Sequence, residues 1–148
     1  MAANLTAIQA RADLFEPVGS RVTCDPPPTN TDEDYLILVA ANRFAALEVE
    51  VVGQGFALGG SRVGDEFRSY KLEAVNLIVT TKAEFFDRFM AATSVAQRFN
   101  LLDKADRIAL FQAVLYGARA AMREAPPASR CGYMVDDLWA SIRSACGR

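Results

Sequence analysis

An apolar run, Tyr35-Leu36-Ile37-Leu38-Val39, opens directly on three acids, Asp32-Glu33-Asp34, and leaves this stretch of chain little conformational choice. It reads as a strand with carboxylates at its mouth. In an extended segment alternate residues share a face, so Asp32 and Asp34 point one way and Glu33 the other. Two carboxylates so placed can share a divalent ion. Magnesium takes one or two protein carboxylates and fills its remaining positions with water and substrate phosphate, which suits this pair better than a full protein cage would.

Upstream lies Gly19-Ser20-Arg21. Gly19 has no Cβ, so its backbone can take a tight or positive-φ turn and bring amides close to phosphate oxygens. The Ser20 hydroxyl adds a donor and Arg21 a charge. Between the two motifs, Cys24 to Thr31 contains Pro26-Pro27-Pro28, which removes donors and fixes φ. This stretch is expected to be an exposed, semi-rigid loop rather than helix or central strand.

Val18-Gly19-Ser20, a spacer of about eleven residues, and Asp32-x-Asp34 opening an apolar strand together resemble the signature of the nucleotidyltransferase superfamily. The likeness is to its minimal enzymes, those related to antibiotic and toxin-antitoxin nucleotidyltransferases. It implies an α/β fold with a mixed sheet flanked by helices and a helical C-terminal half. It also implies a nucleoside triphosphate, ATP or another, bound with Mg2+. Asp32 and Asp34 become the metal-binding and catalytic residues, and Gly19, Ser20 and Arg21 the nucleotide-binding ones. The reaction implied is transfer of a nucleoside monophosphate to an RNA, a protein or a small molecule, with the proline loop overhanging the site.

The family places a third carboxylate on a later strand, and here the chain departs from it. Ala74-Val75-Asn76-Leu77-Ile78-Val79-Thr80 matches that strand with Asn76 at the acid's position. An amide carries no charge and is no base at neutral pH. Glu73 lies on the opposite face by simple alternation. Two alternatives therefore stand beside the enzyme. One is a catalytically inactive module of the same fold acting on a protein partner, such as a phage host-directed or anti-defence factor; the other is an unrelated small α/β protein in which the motif is coincidence.

Composition narrows the classes further. With 148 residues the chain is expected to form one domain, 1–80 carrying a helix and the sheet with the site and 81–148 the packing helices. A net charge of −2 argues against a broad grip on nucleic-acid backbone, so phosphate binding must be local. Arginines far outnumber lysines, which suits bidentate phosphate contacts but also follows from a GC-rich coding genome. The chain has no histidine, which excludes Ser-His-Asp and Cys-His nucleophiles. Cys24, Cys131 and Cys146 are odd in number and widely spaced, so neither zinc nor a disulfide framework is expected. No signal pattern or membrane-length apolar run is present, and a reduced cytoplasmic setting is expected, with no membrane partner.

Along the chain, Leu5, Ile8, Ala12 and Phe15 fall at helical spacing and predict an amphipathic helix from about Asn4 to Leu14. Ala40 to Val52 fits both helix and strand periods, and the resemblance favours helix. Gly53-Gln54-Gly55 breaks it, Gly59-Gly60-Ser61 reads as turn chemistry, and Phe67–Lys71 and Val75–Thr80 read as neighbouring strands. Thr81-Lys82-Ala83-Glu84 reads as a capping box before a helix with Phe85, Phe86, Phe89, Met90, Ala96 and Phe99 on one face. Asp103 is expected to cap a further helix with a stripe of Ile108, Phe111, Leu115, Ala118 and Met122. Arg107, Arg119 and Arg123 flank it, expected in salt pairs with Asp106 or Glu124. Pro126-Pro127 ends this helix, and a short one carrying Trp139 follows from Met134 to Ile142.

Overall fold

The computed structural model describes residues 2–61 and 66–117. These fall into two compact units, Met1–Gly19 with Asn30–Phe86, and Ser20–Thr29 with the chain from Asp87 onward. The predicted short helix carrying Trp139, and the positions of Cys131, Cys146, Arg119, Arg123, Ala118 and Met122, lie outside the described residues.

The first unit is a five-stranded mixed sheet with helices. Its strands are β1 (Leu14–Val18), β2 (Glu33–Leu38), β3 (Ala57–Ser61), β4 (Arg68–Leu72) and β5 (Val75–Thr80), in the order β1-β2-β5-β4-β3. β2 and β5 are parallel, and the other three pairings are antiparallel. β1 is an edge strand, which is where Pro17 is tolerated, because the missing N–H then costs no internal ladder bond.

Helices α1 (Leu5–Gln9) and α3 (Phe44–Gly53) cover one face. Ile8 from α1, Leu47 and Val51 from α3, Phe56, and Ile37, Val39, Tyr70, Leu77 and Val79 from the sheet form the core there. Alternation then puts Asp34, Leu36, Asn76, Ile78, Ser69 and Lys71 on the opposite face. The ambiguous segment after β2 is thus helical, entered through a short 3-10 turn, Ala41–Arg43, and it ends with Gly55 at φ +94°.

Two expectations are corrected in this unit. The first helix stops at Gln9, and Phe15 belongs to β1, where its ring packs against Tyr35. A helical spacing was satisfied by residues of two elements, since helix and strand both bring their apolar residues to one core. Gly59-Gly60-Ser61 is not a turn but part of edge strand β3, and Gly59 occupies the bulge where the register with β4 shifts.

The second unit holds α2 (Ser20–Thr23), most of α4 (Ala83–Arg98) and α5 (Lys104–Tyr116). α4 begins at Ala83, and at its head the Lys82 N–H donates to the Thr80 hydroxyl, one residue before the expected capping threonine. Asp103 caps α5 as expected, its carboxylate accepting from the Ala105 N–H at 2.7 Å. The buried stripe of α5 is rotated from the expected one. It consists of Asp106, Ala109, Leu110, Ala113 and Val114, while Ile108 is exposed. Small alanines let this face approach Ala92 and Ala96 of α4 closely, and Phe111 meets Phe89 edge-on at 4.8 Å. Among the described residues Arg107 forms no salt pair of the expected kind: its guanidinium donates to the Leu101 and Leu102 carbonyls at 2.7 and 2.8 Å and touches the buried Cys24 sulfur. The proline loop begins in this unit, where Asp25 N–H and carbonyl are both held by the Asn100 amide.

Candidate functional site

The site grows out of strand register. β1 ends at Val18, which is paired with Asp34, so Gly19 emerges beside that carboxylate. Gly19 has φ +80°, and a Cβ added to it would lie 2.3 Å from Asp34 Oδ2. Only glycine leaves room there. The close approach that the sequence suggested for a phosphate is made, in this structure, to Asp34.

On its other side Asp34 pairs with Asn76 of β5, and Asn76 pairs in turn with Lys71 of β4. Three residues thus stand abreast on one face. The Asn76 Nδ2 donates to Asp34 Oδ1 at 2.8 Å, and its Oδ1 accepts from the Ser69 hydroxyl at 2.8 Å. The acceptor-only carboxylate fixes which way the amide points, nitrogen toward Asp34, and the Ser69 hydroxyl then donates to the oxygen. Asp32 sits just ahead of β2 and receives the Lys71 ammonium at 2.7 Å. That pair is half-exposed on both sides and adds at most about 1 kcal/mol.

Gly19, Asp34 and Asn76 therefore meet, and Asp32 joins them on the same face through Lys71. Ser20 and Arg21 lie on α2, in the second unit. Glu73 is not on a strand at all: it holds φ 52° in the two-residue turn between β4 and β5. Sequence reasoning missed Ser69 and Lys71. A signal existed: if Glu73-Ala74 is taken as a two-residue hairpin loop, Leu72 pairs with Val75 and Lys71 with Asn76.

The sheet order, its single parallel pair and the flanking helices decide the architecture. The fold is nucleotidyltransferase-like. A solved structure, the conserved protein GrpB from Enterococcus faecalis, is similar over 97% of this chain and 86% of its own, with a TM-score of 0.54 and 15% sequence identity. At that identity the likeness speaks for the fold alone. No family model matches the chain, and no curated protein matches it either.

A shared ion needs lone pairs converging on one point. Here hydrogen atoms point at the carboxylates instead, from the Asn76 amide onto Asp34 and from the Lys71 ammonium onto Asp32. The donor set does not fit the ion that the resemblance implies.

The opposite face of the same sheet carries a second polar cluster. The buried Tyr70 hydroxyl donates to the Glu48 carboxylate, which also pairs with Arg68 at 2.8 Å. Burial, reinforced by the Glu48 charge, pushes the Tyr70 phenol up to about 12. The Tyr70 hydrogen bond, helped by Arg68, holds the Glu48 carboxyl below its ordinary value. Arg68 also lies over the Phe44 ring at 5.0 Å. These residues tie α3 to β4.

Proposed function

We propose that the chain is a binding module of nucleotidyltransferase-like fold that acts on a protein partner and performs no nucleotidyl transfer. The observation that carries this reading is the 2.8 Å bond from the Asn76 amide to Asp34. It puts a neutral donor where the resemblance expects an acid, and it takes up one oxygen of the carboxylate that a transferase would use on its metal. A protein partner is supported by α3, whose outer residues Val49 and Val52 are 72% and 54% exposed, with no long polar side chain at either position. Among the described residues no helix is long and apolar enough to cross a membrane.

A second reading, metal-dependent transfer of a nucleoside monophosphate from ATP or another triphosphate, is favoured by one observation. Asp32 and Asp34 share a face, and Gly19 lies flush against Asp34. In that reading Ser20 and Arg21 assist at the phosphates and Mg2+ is required. One experiment separates the two. The purified protein is incubated with α-labelled nucleoside triphosphates, magnesium, and a mixture of RNA and protein acceptors. The binding-module reading expects no label in any acceptor. Label transfer that vanishes in Asp34→Ala establishes the transferase.

A further inference from the structure

The bonds across the strand mouth all run one way, from β4 and β5 toward the carboxylates of β2. The Ser69 hydroxyl donates to the Asn76 oxygen, the Asn76 nitrogen to Asp34, and the Lys71 ammonium to Asp32. The Asn76 and Lys71 hydrogens each take one carboxylate oxygen that a shared cation would otherwise use. Asn76 and Asp34 are register partners in hydrogen-bond contact, so an acid at position 76 would set two carboxylates about 3 Å apart. Like charges that close cannot both ionise without a cation or a shared proton.

We infer that Asn76 and Lys71 together replace a divalent cation at the mouth of this sheet, so that the paired carboxylates are held by the chain's own donors and the fold is metal-independent. The inference rests on the binding-module reading but concerns the ion rather than the reaction. Asn76 supplies the neutral donor between β5 and β2, and Lys71 supplies the positive charge from β4. Ser69 completes the row, its hydroxyl donating to the Asn76 oxygen.

Thermal melts of the full chain in EDTA, MgCl2 and MnCl2 test this. The unaltered protein is expected to melt at the same temperature in all three, within about 1 °C. Asn76→Asp is expected to melt roughly 5 °C or more lower in EDTA and to regain that loss in Mn2+ at about a hundred times its Kd. A divalent-dependent rise in the unaltered protein overturns the inference, and so does an Asn76→Asp protein that folds but ignores Mn2+. Should Asn76→Asp fail to fold, Lys71→Met serves instead, since its ion pair is half-exposed and its loss is tolerated. Removing the ammonium is expected to make Mn2+ binding measurable where the unaltered protein shows none, and an equal absence of binding in Lys71→Met overturns the inference. Mn2+ binding by the unaltered protein without label transfer would sink this inference alone, whereas label transfer would sink the functional reading.

Discussion

Gly19→Ala is the perturbation whose cost the geometry states most directly. An alanine at φ +80° sits in the left-handed region, which costs an L-residue about 1–2 kcal/mol. Its Cβ would also fall 2.3 Å from Asp34 Oδ2 and 3.0 Å from the Asp34 Cβ and Cγ. The carboxylate must therefore move away and lose the Asn76 amide, a hydrogen bond to a charged acceptor worth about 1.5–3 kcal/mol. Together these give a loss of roughly 2.5–5 kcal/mol. Equilibrium urea unfolding followed by circular dichroism measures it, provided that one transition is seen with an unchanged slope. In an Asp34→Ala background the carboxylate is already gone, so Gly19→Ala should cost about 1.5–3 kcal/mol less there. Strict additivity of the two substitutions, or a Gly19→Ala loss under about 1 kcal/mol, would refute the claim that the glycine exists to admit Asp34.

The Glu48–Tyr70 pair predicts a pH response at both ends. The folded Tyr70 pKa is raised from 10.0 to about 12, so its contribution is full below pH 10 and disappears as pH climbs toward 12. Glu48 is shifted the other way, so its contribution holds above its ordinary 4.5 and is lost as pH falls through the lowered value. Tyr70→Phe should flatten both dependences in a stability-versus-pH series, and in the unaltered protein one tyrosine should ionise only near pH 12 by tyrosinate absorbance. Arg107→Ala should destabilise by about 1.5–3 kcal/mol in urea unfolding, because the Leu101 and Leu102 carbonyls lose a charged donor. Lys71→Met should cost no more than about 1 kcal/mol in the same assay, because the Asp32 pair is screened by solvent.

Much of the sheet was legible because strands β2, β4 and β5 are uninterrupted apolar or alternating runs whose period admits one reading. The same period placed Asp32 and Asp34 on one face, while it was the family resemblance that singled out Asn76. β1 was hidden because Phe15 continues the spacing of Leu5 and Ile8, and the turn between α1 and β1 contains no glycine or proline to mark it. β3 was hidden by Gly59 and Gly60, which look like a turn and in fact accommodate a bulge. On α5, apolar residues occupy more than one face, so periodicity alone did not decide which stripe is buried, and alanine contacts with α4 did. The donors at the site, Ser69 and Lys71, depended on the register of one hairpin. That register turns on whether two or three residues make the loop at Glu73, which adopts a left-handed φ uncommon for glutamate.

The most direct measurement is the side-chain amide resonance of Asn76, assigned in a nitrogen-proton spectrum by its disappearance in Asn76→Asp. Paramagnetic Mn2+ broadens signals of any nucleus close to it, so the resonance reports whether an ion reaches Asp34. With the amide bonded to Asp34 and the Lys71 ammonium on Asp32, the account predicts that stoichiometric Mn2+, with or without a nucleoside triphosphate, leaves this pair of signals unchanged. Selective loss of the Asn76 signals at stoichiometric Mn2+ would contradict it, and would return Asp32 and Asp34 to the role of metal ligands.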